Sequence, residues 1–294
     1  MPAKVIYQES IKPHVSVVIP SLDGSRGGNV DQLISQLKNQ TFKSIEIILS
    51  INESPNGHAR NVGIEKASIS SQYFCFFDDD VSLDSDDVIS NFLSGLEDSS
   101  IGMVGASQIP PKHSNLFEKW IGYDLNKAKF PVQKFVVDTE MATHCGLGIK
   151  RELWDRLEGE DDDLVTGTDT DLRQRIRDAG YRVVVVPDTL VYHPLPSNLS
   201  TIINSATHHG KYQVFYRKKH GFQSGFLKPF SRINNFFDFL LKIITEMIIF
   251  FPHVFFVNRK SSSAIGFRPV NAIYRFLMVY SYAKQCLREN SSKI

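Results

Sequence analysis

The chain has almost no excess charge. Its 294 residues carry 33 Lys and Arg against 32 Asp and Glu, a net charge of +1. A surface without a dominant sign makes no electrostatic case for nucleic acid, and none is expected as a partner. Cysteine is scarce: Cys75, Cys145 and Cys286 lie far apart and form no CxxC pair, which excludes a zinc ribbon or a dithiol redox motif. They are expected as small core residues in a reducing compartment. The opening segment MPAKVIYQES lacks the apolar run of an export signal, so a cytoplasmic location is expected. Gly24, Gly27 and Gly28 do not fit GxGxxG, and a dinucleotide site is unsupported. There is no internal repeat and no low-complexity segment.

What remains is an ordinary globular composition, 42% hydrophobic and 22% charged, long enough for one large domain or one domain with an appendage. Residues 15–19 (VSVVI), 45–51 (IEIILSI), 73–77 (YFCFF) and 182–187 (RVVVVP) are short apolar runs of the kind buried inside a sheet. Between them lie helical spacings. After the turn SLDGSRGG, Asn29 reads as a helix N-cap, with Gln32 three residues on and Leu33, Ile34 and Leu37 on the apolar face. ARNVGIEKA is helical, IGMVGAS is a further strand, and residues 111–135 read as an irregular loop presenting Trp120 and Tyr123. In GTDTDLRQRIRDAG, Thr168 is the expected N-cap, Asp171 the capping-box acid and Gly180 the stop. The alternation predicts a doubly wound α/β fold with a mostly parallel sheet flanked by helices.

Ligands of such sheets bind at the carboxyl ends of the strands. Asp78-Asp79-Asp80 stands at such an end. Residues two apart on an extended chain point the same way, so Asp78 and Asp80 can share a cleft while Asp79 turns elsewhere. Paired carboxylates call for a cation, and a hard ion such as Mg2+ or Mn2+ suits oxygen donors and a diphosphate. The alternative is a solvated acidic turn. Asp169, at the expected first position of its helix, is free to accept a proton from an attacking hydroxyl or to complement the helix dipole. Arg60 is a phosphate partner or one half of a surface ion pair, His193 a metal ligand or a structural histidine. Glu160 to Asp163 reads as a solvated loop.

The order VSVVIP, ARNVGIEKA, FFDDDVSLD and DLRQRIRDAGYRVVVVPDTLVYH resembles glycosyltransferase family 2, over about residues 14–195. The resemblance implies a GT-A fold and an inverting, metal-dependent transfer of one sugar from a UDP-, dTDP- or GDP-sugar to a glycan or lipid-linked hydroxyl. It implies donor binding by Pro20, Asp23, Asn52, Arg60, Asn61, Asp78 and Asp79. It assigns Mg2+ or Mn2+ to Asp78, Asp80 and His193, and the general base to Asp169. Three departures stand out. The segment Ile51-Asn52-Glu53 is offset from the family's base-reading acid, Thr168 replaces a Glu, and the QxxRW element of processive synthases is absent. Rival readings are a sugar-phosphate nucleotidyltransferase and a catalytically inactive membrane-bound member.

The expected catalytic domain is residues 1–198, with a nucleotide-sugar half at 14–100 and an acceptor half at 101–198. Residues 199–294 form a helical appendage. Asp238, Lys242 and Glu246 recur every fourth residue within the apolar run 236–257, a single stripe on a helix. Charges at mid-bilayer are costly. The segments 236–257 and 264–283 are therefore expected to lie in the inner membrane interface, with Arg217, Lys218, Lys219, Arg259, Lys260 and Arg268 meeting anionic lipid. An integral hairpin, or packing of the apolar faces on the catalytic domain, is the alternative.

Overall fold

The structure is a computed structural model, described here over residues 2–124, 132–139, 141–221, 233–256 and 268–291. The chain forms two compact units: Met1–His113 with Lys129–Pro194, and Ser114–Ala128 with Leu195–Ile294.

The first unit opens with β1 (Ala3–Gln8), β2 (Val15–Ser21), α1 (Asn29–Lys38), β3 (Ile45–Ile51), α2 (Asn56–Ile64), β4 (Tyr73–Phe76), β5 (Ser82–Leu83), α3 (Val88–Glu97) and β6 (Ile101–Ile109). Helix α4 (Leu116–Asp124) belongs to the second unit. The first unit resumes with β7 (Val137–Asp138), β8 (Leu147–Lys150), α5 (Arg151–Arg156), α6 (Thr168–Asp178) and β9 (Arg182–Tyr192). The strand order is β1-β3-β2-β4-β8-β6-β9-β5, with β7 paired to β9. Strands β3, β2 and β4 are parallel, as are β6 and β9. β8 enters between β4 and β6 antiparallel to both. The parallel character expected from the apolar runs is thus concentrated in two blocks of a mixed sheet.

Both faces of the central strands are covered, which is why their sequences read as unbroken apolar runs. Val15, Val17 and Ile19 pack with Val30, Leu33, Leu37 and Phe92 on one side. On the other, Val18, Ile48, Phe74 and Phe76 pack with Val62, Trp154, Leu172 and Ile176. Each such side chain contributes about 1.5–3 kcal/mol by leaving water. Gly63 sets how closely α2 approaches β2: a Cβ there would fall 2.4 Å from Val18 Cγ1.

At the amino end of the strands, the buried carboxylate of Glu46 accepts from the Ser16 hydroxyl at 2.6 Å, the Ser68 amide at 2.6 Å and the Ser71 hydroxyl at 3.3 Å.

Several local expectations are corrected. β2 continues past Pro20 to Ser21. Asn29 is the first helical residue of α1 rather than its cap. Gly28, at φ 95°, takes the cap position, and the Asn29 amide instead donates to the carbonyls of Asp79 and Val81 at 2.8 and 3.0 Å. Likewise Gly167, at φ 79°, precedes Thr168, which is already helical. Asp171 therefore sits one position too late for a capping box, and it pairs with Arg175 at 2.8 Å. Part of the expected loop 111–135 is helix α4. Trp120 is partly exposed there; the side chain of Tyr123 lies outside the described residues.

The second unit adds α7 (Leu199–His220), α8 (Phe236–Phe256) and α9 (Pro269–Ser291). The polar stripe of α8 faces inward: Glu246 is buried, 3.1 Å from Lys242 and 3.3 Å from Arg275 of α9. Phe236, Phe237, Leu241, Met247, Ile248 and Phe251 are exposed. Arg268 is buried, so it is not available to a lipid surface; Arg259 and Lys260 lie outside the described residues. Among the described residues, no helix is long and apolar enough to cross a membrane.

Candidate active site

The strand β4 delivers Asp78, Asp79 and Asp80 to the carboxyl end of the parallel block. The turn is held by Asp78 N–H donating to the His144 carbonyl and by Val81 N–H donating to the Asp78 carbonyl. The three carboxylates diverge. Asp78 accepts from Arg60 Nη2 at 2.7 Å. Asp79 accepts from the Ser21 hydroxyl at 2.7 Å, and its partial burial raises its pKa against that bond. Asp80 meets Arg26 at 3.2 Å and His193 Nε2 at 3.7 Å.

Arg60, on α2, is buried rather than part of a surface pair. Its Nη1 lies 3.3 Å from Glu160, whose side chain is 0% exposed; His144 Nε2 contacts the other oxygen of the same carboxylate. Burial opposes the Arg60 charge, but Glu160 and Asp78 outweigh it and hold the guanidinium's pKa above its ordinary value. Burial likewise disfavours ionised Glu160, yet His144 and Arg60 keep its carboxyl below the usual range. The solvated-loop reading of Glu160–Asp163 therefore fails at its first residue. Asn61 clamps that residue from both sides, donating to the Glu160 carbonyl at 2.8 Å and accepting its N–H at 3.0 Å. Gly159 makes the clamp possible: it has φ 68°, and a Cβ would stand 2.6 Å from Asn61 Oδ1.

Asp169, the second residue of α6, accepts from Arg173 at 3.1 Å and from Thr170 N–H at 2.9 Å. Arg173 also donates to the Ala142 carbonyl at 2.7 Å, tying α6 to the loop that carries His144 and Cys145. Burial opposes the charge of Asp169, but Arg173 and His144 overcome it and lower its pKa. Its carboxylate is close enough to add to the field at Arg60, Glu160 and Cys145.

The structure thus brings Arg60, Asp78, Asp80, Asp169 and His193 into one neighbourhood, with Asn61 behind them. The other residues flank it. Pro20 is buried in β2. Asp23 is exposed, and its carboxylate accepts from the amides of Ser25 and Arg26 at 2.8 and 2.7 Å, which lowers its pKa. Asn52 is exposed at φ 59°, donating its N–H to the Ser21 carbonyl at 3.0 Å. Glu160, His144, Cys145, Arg173 and Arg26 were not singled out as site residues from the sequence. Their proximity comes from chain crossings, and only the identity of the acid run and the Arg of DLRQR hinted at it.

The donor set suits a divalent cation. Asp80 Oδ1 is buried without a hydrogen-bond partner among the described residues, and Asp78, Cys145 and His193 each bring one ligand atom within 4.8 Å of the others. Carboxylate oxygens with an imidazole accommodate Mg2+ or Mn2+.

A family model described as glycosyltransferase like family 2 matches residues 4–208. The O-antigen chain rhamnosyltransferase RfbN of Salmonella typhimurium is 24% identical over 194 residues, 64% of this chain and 59% of the relative. The chain therefore spans about three fifths of that curated relative's length. Among solved structures, the mannosyltransferase PcManGT from Pyrobaculum calidifontis, in complex with GDP-Man and Mn2+, aligns with a TM-score of 0.57 at 15% identity. That alignment covers 100% of this chain and 91% of the other.

Proposed function

The chain belongs to the glycosyltransferase-like family 2, and from this footing we propose that it moves a single sugar from a nucleotide diphosphate sugar to an acceptor hydroxyl with inversion. Its fold, a mixed α/β sheet flanked by helices with further helices toward the C-terminus, is the GT-A type. The observation that supports the reading is the closeness of Asp78 and of Asp80 to His193, with the Asp169 carboxylate near enough to add to the field at the adjoining Cys145.

In this reading, Asp80 and His193, with Asp78 beside them, would hold Mn2+ or Mg2+, which would supply charge neutralisation for the departing diphosphate. Asp169 takes the proton of the acceptor hydroxyl as its oxygen bonds to the anomeric carbon. The bond from that carbon to the diphosphate oxygen breaks on the opposite face, and its electron pair leaves with the diphosphate. Arg173 orients the Asp169 carboxylate, and Arg60, pinned by Glu160, offsets the charge of Asp78. Pro20, Asp23, Asn52 and Asn61 belong to the donor-binding side.

The acceptor is a glycan or a lipid-linked hydroxyl, and the chain works peripherally at the cytoplasmic face of a membrane. Support for the surface comes from the exposed apolar residues of α8; of the basic residues expected to meet lipid, Arg217 is taken up by Tyr282 and Lys218 by Glu289, both on α9.

The test is incubation with a panel of nucleotide sugars and Mn2+, reading released nucleoside diphosphate. Release that stops with EDTA and returns with Mn2+ is expected; full turnover in excess chelator would sink the assignment. For the surface, protein recovered wholly in the soluble fraction counts against it, and resistance to a carbonate wash points to an integral hairpin instead.

A further inference from the structure

One donor in the cleft is chemically out of place for a hard cation. Cys145 lies on the loop entering β8 and is 7% exposed. A ligand atom from its side chain lies within 4.8 Å of one from Asp78 and one from His193, which also lie within 4.8 Å of each other. Ligand atoms around a tetrahedral ion with bonds of 2.0–2.3 Å stand about 3.3–3.8 Å apart. Side-chain adjustments on the order of an ångström would therefore bring all three to one centre. Asp80 stands outside this trio but beside His193, its buried Oδ1 3.7 Å from Nε2. Cys75 shows none of this: it sits mid-strand in the apolar core.

Hard ions such as Mg2+ and Mn2+ favour oxygen and gain little from sulfur, whereas zinc takes thiolate, imidazole and carboxylate together. We propose that Cys145, His193 and Asp78 form a thiophilic-cation site that overlaps the donor's metal position and takes Zn2+. This rests on the transferase reading of the same cleft. When Zn2+ binds, the Cys145 S–H bond breaks, a Zn–S bond forms and the proton passes to solvent. Asp78 and His193 are also ligands of the proposed Mn2+ position, so zinc held by them and by the Cys145 thiolate displaces Mn2+ and acts as a competing inhibitor.

The probe is Co2+ added to the whole 294-residue chain. Wild type should develop a thiolate-to-cobalt charge-transfer band that Zn2+ bleaches. The band should be absent from Cys145→Ser and from His193→Gln, and present in Cys75→Ser. Displacement of Mn2+ by Zn2+, followed by electron paramagnetic resonance, should require at least about tenfold more Zn2+ in Cys145→Ser. Cys145→Ala provides a second variant if the serine disturbs folding. A band that survives in the Cys145 variants overturns the proposal. So does the lack of any band in a wild type that binds Mn2+ through Asp80, a result that leaves the transferase reading intact. Loss of Mn2+ binding altogether would remove both.

Discussion

The two ends of the central strands each bury a carboxylate, and they do so by opposite means. At the amino end, Glu46 is surrounded by neutral donors, two serine hydroxyls and an amide. At the carboxyl end, Glu160 is held by a guanidinium and an imidazole. Hydroxyl and amide donors satisfy a carboxylate locally and reach no further. Charged partners extend the influence of Glu160, because Arg60 that answers it also answers Asp78. The amino end is built to be inert, and the carboxyl end to keep several charges balanced against one another. Such unevenly distributed titratable groups are the physical mark of a site.

The contrast is broken most severely by removing the proposed base. Asp169→Asn should lower turnover by about 10²- to 10⁴-fold with donor binding nearly unchanged, read as a fall in kcat without a matching rise in donor KM. If Asp171→Asn were the inactive, folded variant instead, the assignment would belong to the residue paired with Arg175. Asp80→Ala comes next, with a loss of about 10²- to 10³-fold and a circular dichroism spectrum like wild type.

The next pair sharpens the comparison itself. Glu160→Gln leaves Arg60 buried with one fewer counter-charge, a change that costs about 3–5 kcal/mol in comparable pairs. Glu46→Gln keeps an acceptor oxygen for its serine partners and should cost less, about 1–3 kcal/mol. Urea denaturation of the two variants would show the order; equal losses would mean that the charges around Glu160 add nothing.

The smallest effect is the pH dependence of that difference. The folded pKa of Glu160 is depressed from an unfolded value of about 4.3. Its ionic stabilisation is therefore complete above that value and disappears as pH falls through the lower folded one. The stability gap between wild type and Glu160→Gln should narrow below about pH 4; a gap that widened on acidification would have the wrong sign.

Much of the carboxyl end was legible in the sequence because its parts sit at places where local patterns change. Asp78–Asp80 follows an apolar run, and Asp169 opens a helix whose spacing is unmistakable. Glu160 was illegible for the opposite reason: it lies in a run of four acids, and its partner Arg60 is 100 residues away. The caps at Asn29 and Thr168 were displaced by one residue because a glycine with positive φ precedes each, and Ser/Thr/Asn preference alone does not see backbone handedness. In α8 the four-residue recurrence of Asp238, Lys242 and Glu246 identified a stripe. Periodicity does not say which stripe points inward, and the answer depended on Arg275 in another helix.

The antiparallel entry of β8 between β4 and β6 has a consequence for how the chain is made. The first hundred residues include β1 to β4, but β4 finds its second neighbour only when residues 147–150 arrive. As synthesis proceeds from the N-terminus, the early block carries an open strand edge with unpaired amides and carbonyls, the kind of edge that recruits stray strands. That edge of β4 is covered by a four-residue segment whose own loop carries His144 and Cys145. The edge therefore closes as the first part of the cleft arrives, while Asp169 on α6 and His193 after β9 are still to come.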